Sequence, residues 1–203
     1  MELGASMLRV ATITLLLAGV LGCASNKPHE GIPLVWKPTS SQNVGVIPLN
    51  DFANVTLTVR PFTDTRTDKH AIGKNIEHLP AIQPVTTRDS VAAFCTEHFK
   101  EILKRQGLNV SNSGNVILSG EVVEFFVTEE NTYDARVAIK LKAADTSGKV
   151  LWEGMVGGDS HRFGRSYSLE NYYETLSDAL IDGVQHLLQG SNFSSSIRVG
   201  GKS

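Results

Sequence analysis

Four groups of residues carry side chains whose type and spacing could do chemistry. Cys95 and His98 stand three apart on a segment of helical periodicity, which would let a thiol and an imidazole meet as nucleophile and base. Both also fall within the apolar stripe of Val91, Phe94, Phe99, Ile102 and Leu103, where a thiol is usually buried and inert, so core packing is the favoured reading. Asp64, Arg66 and Asp68 follow Pro61 at a strand end; they suit either a loop-ordering ion pair or a patch facing a protein partner or peptidoglycan. Arg162-Phe163-Gly164-Arg165 precedes a second amphipathic segment. Two guanidiniums at a helix entrance could hold a carboxylate or phosphate, because first-turn amides are unpaired and the helix dipole favours an anion. A tight connection with both guanidiniums in water is the favoured reading, and among interaction sites these arginines are the leading candidate. The six histidines are scattered. His70 and His78 share a polar loop with Asp64 and Asp68, but no spacing matches a ligand pair on one helix face, so neither metal nor other cofactor is implied. A Gly-x-Ser-x-Gly elbow, a phosphate loop, a CxxC pair and an HExxH helix are all missing from the sequence, and no catalytic residue is assigned.

The fourth group is a single thiol with a distinctive approach. Residues 1–9 end in Arg9, and the apolar run 10–21 is too short to cross a hydrocarbon core as a stable helix; it reads as the core of a signal peptide. The run stops at Val20-Leu21-Gly22-Cys23, which resembles the bacterial lipobox, with valine where leucine is usual. That resemblance implies cleavage before Cys23 and lipid on its thiol. Two or three acyl chains hold a protein to a membrane far more firmly than one. Ala24 stands where an aspartate would, in enterobacterial lipoproteins, favour the inner membrane, so the resemblance implies the periplasmic face of the outer membrane. With Cys23 lipidated, Cys95 has no partner for an intramolecular disulfide. The 203 residues include 19 Lys and Arg against 21 Asp and Glu, a balance with no basic stripe, which excludes nucleic acid as an expected partner.

The elements that position these residues follow from periodicity. Residues 1–22 read as signal, 23–52 as a lipidated tether with room for one strand, 53–190 as one α+β domain, and the Ser- and Gly-rich 191–203 as a disordered tail. Val55, Leu57 and Val59 alternate with polar neighbours as a half-buried strand does. A polar loop follows, then a helix capped by Thr87 and closed by Gly107. Strands are predicted over 116–128, 133–144 and 149–159, and a last helix runs from a Ser168 cap to Gly190. The order strand, helix, three strands, helix predicts a mixed or antiparallel sheet of about four strands with both helices on one face. The other face stays open, and Phe125, Phe126 and Trp152 decide whether it is apolar.

This order, with the lipobox at Cys23, the Arg66-Thr67-Asp68 stretch and the helix closing at Arg105-Gln106-Gly107, resembles the YajG-like family of bacterial outer-membrane lipoproteins. The resemblance implies a location and a fold more than an activity. The expected role is non-enzymatic: an anchored domain offered to another envelope protein or to peptidoglycan. The alternative is a hydrolytic or ligand-binding envelope enzyme, which a deep pocket joining Asp64, Arg66, Arg162 and Arg165 would favour.

Overall fold

A single strand organises the chain. In the computed structural model, which describes residues 28–39 and 49–200, β7 (Val116–Glu129) is the strand on which most of a nine-stranded mixed sheet is assembled. Its side chains alternate inward and outward, and Val116, Leu118 and Val122 are fully buried. On one edge β7 pairs antiparallel with β8 (Tyr133–Asp145), which pairs antiparallel with β9 (Val150–Arg162), forming the expected meander. On its other edge three strands share its length in parallel: β2 (Thr56–Val59) at Val116 to Leu118, β3 (Thr63–Asp64) at Glu121 and Val122, and β4 (Ala71–Asn75) at Val127 to Glu129. Beyond β4 lie antiparallel β5 (Gln83–Thr87) and then β1 (His29–Ile32); β6 (Asn109–Val110) closes the far side beside β2.

Nine strands replace the expected four, and the additions have a common cause. Each is two to five residues long, and β4 and β5 hold Gly73 and Pro84 where a strong strand would hold β-branched residues. β3 and β4 pair with β7 some fifty residues away, β6 with β2 and β1 with β5, so distant partners rather than local pattern hold them. The "polar loop" therefore contains a hairpin.

The helices α1 (Val91–Arg105) and α2 (Leu169–Gln189) form as their periodicity requires and pack against the sheet's inner side. Ser90, not Thr87, caps α1: Ser90 Oγ accepts from Ala93 N at 3.2 Å, while Thr87 ends β5 and donates its hydroxyl to the Ile32 carbonyl. Gly107, at φ +84°, takes the left-handed turn that stops α1. Helix α2 lies so close to β9 that a Cβ on Gly158 would sit 2.1 Å from the Ala179 carbonyl.

A third helix, α3 (Ser191–Gly200), stands where a disordered tail was expected. Its serines are poor helix formers, but Phe193 and Ile197, one turn apart, are buried, and the Phe193 ring meets Trp152 edge-on at 5.2 Å and Phe52 at 6.4 Å. Burial outweighs propensity. Part of the expected tether is also bound to the domain: the Trp36 ring stacks on His98 at 4.2 Å, Lys37 N donates to Ser177 Oγ, and Thr39 N and Oγ1 donate to Asp178. The signal segment and Cys23 lie outside the described residues.

The open face is mainly charged, with Met155 and Val123 exposed among the charges. Phe125 points into the core and Trp152 packs on α3, leaving Phe126 half-buried among charges. Arg136 lies 3.4 Å from Glu124 and 3.8 Å from Asp159, Lys140 lies 3.3 Å from Glu153, and His161 pairs with Asp134. Such exposed cross-strand pairs each contribute little to stability.

Candidate functional site

Arg66 fills a gap in the sheet. Between the stretch of β7 paired with β3 and the stretch paired with β4, carbonyls face an edge that no strand covers. The guanidinium enters there: Nη1 donates to Ala71 O at 2.7 Å and Phe125 O at 3.3 Å, and Nη2 to Lys69 O at 2.7 Å and Asp64 Oδ2 at 2.8 Å. Nε completes a two-pronged pair with Asp64 Oδ1 at 3.0 Å. All five donors are satisfied within the chain, and the side chains are only 7% and 13% exposed. Burial alone would raise the Asp64 pKa, but hydrogen bonds from the Arg66 side chain and backbone, together with its charge, hold it below the usual range. Asp68 accepts from the His70 and Ala71 amides, ordering the entry to β4. Of the two readings open for Asp64 and Arg66, the geometry matches the loop-ordering ion pair, with the guanidinium's donors spent inside the fold. A depression of about 260 Å³ beside it, lined by Val123 and Phe126 among others, does not reach Arg162 or Arg165.

The second pair of arginines sits at one end of the sheet, and the two diverge in use. Arg162 ion-pairs with Glu174, two turns into α2, which also lies 3.4 Å from Lys37 Nζ. Its Nε is buried without a hydrogen-bond partner among the described residues. Arg165 is exposed, and the fold uses its carbonyl, which accepts from Asn171 Nδ2 at 3.0 Å and lies 2.5 Å from Tyr133 Oη, where it competes with Glu129 for that hydroxyl's one proton. Ser168 occupies the cap position of α2 without a side-chain cap bond; its amide donates to Tyr133 Oη at 2.9 Å. With Glu170 and Glu174 at its start, this helix entrance is not a prepared anion receptor.

Beneath that loop lies a cluster that the sequence did not announce. Glu129, 1% exposed, accepts at Oε1 from Tyr133 Oη (2.8 Å) and the Tyr167 amide, and at Oε2 from Tyr172 Oη (2.5 Å). Tyr167 adopts φ +52°, an unfavourable conformation for a bulky residue, which its amide bond to Glu129 helps to hold. The His29 ring stacks on Tyr167 at 3.9 Å, and His29 N donates to Tyr167 Oη at 2.8 Å. Burial raises the Tyr133 pKa to about 12, with the neighbouring Glu129 adding to the effect, and raises those of Tyr172 and Tyr167 for the same first reason. Tyr133 and Tyr172 donate to Glu129, while the Tyr167 hydroxyl accepts from His29 N. The cluster ties the 163–168 loop and the first strand to the end of β7. A substrate would have no access to its carboxyl group.

Cys95 is completely buried, and burial pushes its thiol pKa far up. His98 turns instead to Trp36 and to Glu101, 3.0 Å away. The pair shares a helix but not a contact. His70 Nδ1 meets the Thr87 carbonyl at 3.1 Å, and among the described residues no three His, Cys, Asp or Glu side chains converge as metal ligands.

No family model matches the sequence, and no curated protein is similar to it. The fold is shared with a Xanthomonas campestris protein assigned to the family DUF330, at TM-score 0.54 and 12% identity over 79% of this chain and 92% of that one. More distant are the PelC dodecamer of Paraburkholderia phytofirmans (TM-score 0.39, 16% identity, 66% of this chain and 86% of that one) and a lipoprotein of Neisseria meningitidis (0.34, 12%, 57% and 89%).

Proposed function

We propose that the chain is an envelope lipoprotein, anchored by lipid on Cys23 to the periplasmic face of the outer membrane, whose domain serves a protein or peptidoglycan partner without catalysis. The observation that carries this reading is the position of Cys23. It closes an apolar run and stands six residues before His29, the first residue of a strand bound to the domain. Ala24 and the motif order resembling YajG-like lipoproteins support the same location. No helix among the described residues is long and apolar enough to cross a membrane. The non-enzymatic part rests on the chemistry: the buried acid and phenols satisfy one another, the thiol is sealed, and Arg66 has no donor to offer. A deep pocket joining Asp64 and Arg66 to Arg162 and Arg165 would have favoured the enzymatic alternative. The first pair lies opposite the middle of β7 and the second beyond its end.

Growth with labelled fatty acid tests the anchor. The wild-type chain should carry label and sediment with membranes, whereas Cys23→Ser should lose label and appear in the soluble periplasmic fraction. A Cys23→Ser chain that keeps both label and sedimentation rejects the assignment.

A further inference from the structure

One row of residues marks the end of the sheet. Gln83 of β5 pairs with Asn75 of β4, Asn75 with Glu129 of β7, Glu129 with Tyr133 of β8, and Tyr133 with Arg162 of β9. Past this row project the turns 76–82 and 130–132 and the loop 163–168, and a hydrogen bond from Ser166 Oγ to Glu77 joins the first to the last. Phe163 at 82% and Leu79 at 63% are the most exposed large hydrophobic side chains among the described residues, and Ile82 stands with them at 59%. All three lie on these projections. Exposed apolar side chains grouped at one end of a domain call for an apolar partner.

The path of the chain indicates which partner. Strand β1 runs parallel to β5, with His29 opposite Val85, so it starts near this row and runs away from it. His29 is held beside the 163–168 loop through Tyr167. The first described residues therefore lie at the end that carries Phe163, Leu79 and Ile82. Cys23 stands six residues before His29, and a fully extended chain spans at most about 3.3–3.6 Å per residue, roughly 20 Å in all. We propose that this end of the sheet is a membrane-contacting surface: Phe163, Leu79 and Ile82 enter the lipid interface beneath the anchor, and Arg165 meets lipid phosphates. The inference rests on the lipid-anchor reading and adds an orientation to it. The sheet stands end-on to the bilayer, with its charged open face turned sideways into the periplasm. Side chains of this kind sit at the headgroup boundary, their apolar parts buried and a cationic group at the phosphates.

The test uses the full lipidated chain in vesicles of three parts phosphatidylethanolamine to one part phosphatidylglycerol. An environment-sensitive fluorophore is placed on Phe163→Cys, on Ile82→Cys, or on Thr146→Cys in the turn at the opposite end of β8; buried Cys95 does not compete for label. Labels at 163 and 82 should shift to shorter wavelength, brighten severalfold and be quenched by lipid-borne nitroxides, while the label at 146 behaves as in water. Leu79→Cys provides a second reporter on the same turn as Ile82. If chains proven by mass to carry lipid leave positions 82 and 163 as wet as 146, the membrane contact is overturned and the anchor stands. Labels wet in pure vesicles but dry in whole envelopes would mean that a protein covers this end, which also overturns it. A wild-type chain without lipid removes the anchor reading and this inference together.

Discussion

Arg66 and Arg165 occupy similar sequence surroundings, each in a short polar segment after a strand, and the fold uses opposite parts of them. From Arg66 it takes the guanidinium, with all five donors placed on Asp64 and three backbone carbonyls. From Arg165 it takes the carbonyl, bound by Tyr133 and Asn171, and leaves the charge in solvent. The difference comes from what the neighbouring backbone lacks. Beside Arg66, the Phe125 carbonyl of β7 and the Lys69 and Ala71 carbonyls of its own segment lie within reach, and a forked cation is the group that can satisfy several at once. Beside Arg165, buried phenols already supply the missing donors. An arginine's exposure is therefore set by the unmet hydrogen bonds around it rather than by its own sequence context.

Substitution at Arg66 should have the largest effect. Arg66→Ala leaves a buried carboxylate and several carbonyls unpaired, and should cost about 3–5 kcal/mol in chemical denaturation; Arg66→Lys should recover little of this, because an ammonium cannot span the same acceptors. A loss below 1 kcal/mol would erase the contrast with Arg165. The same ion pair should appear in the pH dependence. The Asp64 pKa is depressed in the fold, so its contribution is fully present above the ordinary carboxylate range and disappears as pH falls through the lower, folded value. Urea midpoints of the wild type should therefore fall on acidification more than those of Asp64→Asn.

Next in size is the cluster under the second loop. Glu129→Ala deprives the buried Tyr172 phenol and the Tyr167 amide of their acceptor, while Tyr133 keeps the Arg165 carbonyl, and should cost about 1–3 kcal/mol for each group left unsatisfied. Amide exchange in 163–168 and 29–32 should accelerate more than in α1. Uniform acceleration would show that the cluster supports the whole domain rather than this end. Cys95→Ala should cost roughly 1–2 kcal/mol through a small cavity, and the folded thiol should resist modification until denaturant is added.

The smallest effects belong to Arg162 and Arg165. Arg165→Ala should change stability by no more than ~0.5 kcal/mol, and Arg162→Ala by about 0–1 kcal/mol because it also removes the pair with Glu174. If either arginine contacts a partner, cross-linking in intact cells should weaken while the melting temperature stays within a few degrees. Cooperative collapse of the Arg165 variant would place it in the same class as Arg66.

Both long helices and the β7–β8–β9 meander were legible because each carries its own period over thirteen or more residues. The Glu129 cluster was not, and the reason is a bulge. Inward positions on β7 are even-numbered through Val122, the register shifts between Val122 and Glu124, and they are odd-numbered from Phe125 onward. Strict alternation counted from Val116 turns Glu129 outward and Phe126 inward, the reverse of the fold. In α3 the usable signal was the spacing of Phe193 and Ile197, outweighed by the serines around them. For Arg66 the two options were stated correctly, but choosing between them required knowing that strands before and after it leave a gap on a strand fifty residues later.

Strand β7 also imposes an order in time. It begins at residue 116, and β2, β3 and β4, which precede it, all pair with it in parallel. A chain delivered N-terminus first presents more than fifty residues of strand and helix before their template arrives, with apolar side chains such as Leu57, Ile72 and Phe99 unsheltered. By contrast β8 and β9 follow their partners directly and close as hairpins, which form quickly. Local closure favours nucleation in the later half of the sequence, with the earlier half gathered onto it, an order that pulse-labelled amide exchange during refolding checks. The delay between the two is the period in which the chain is most open to proteases and to mispairing.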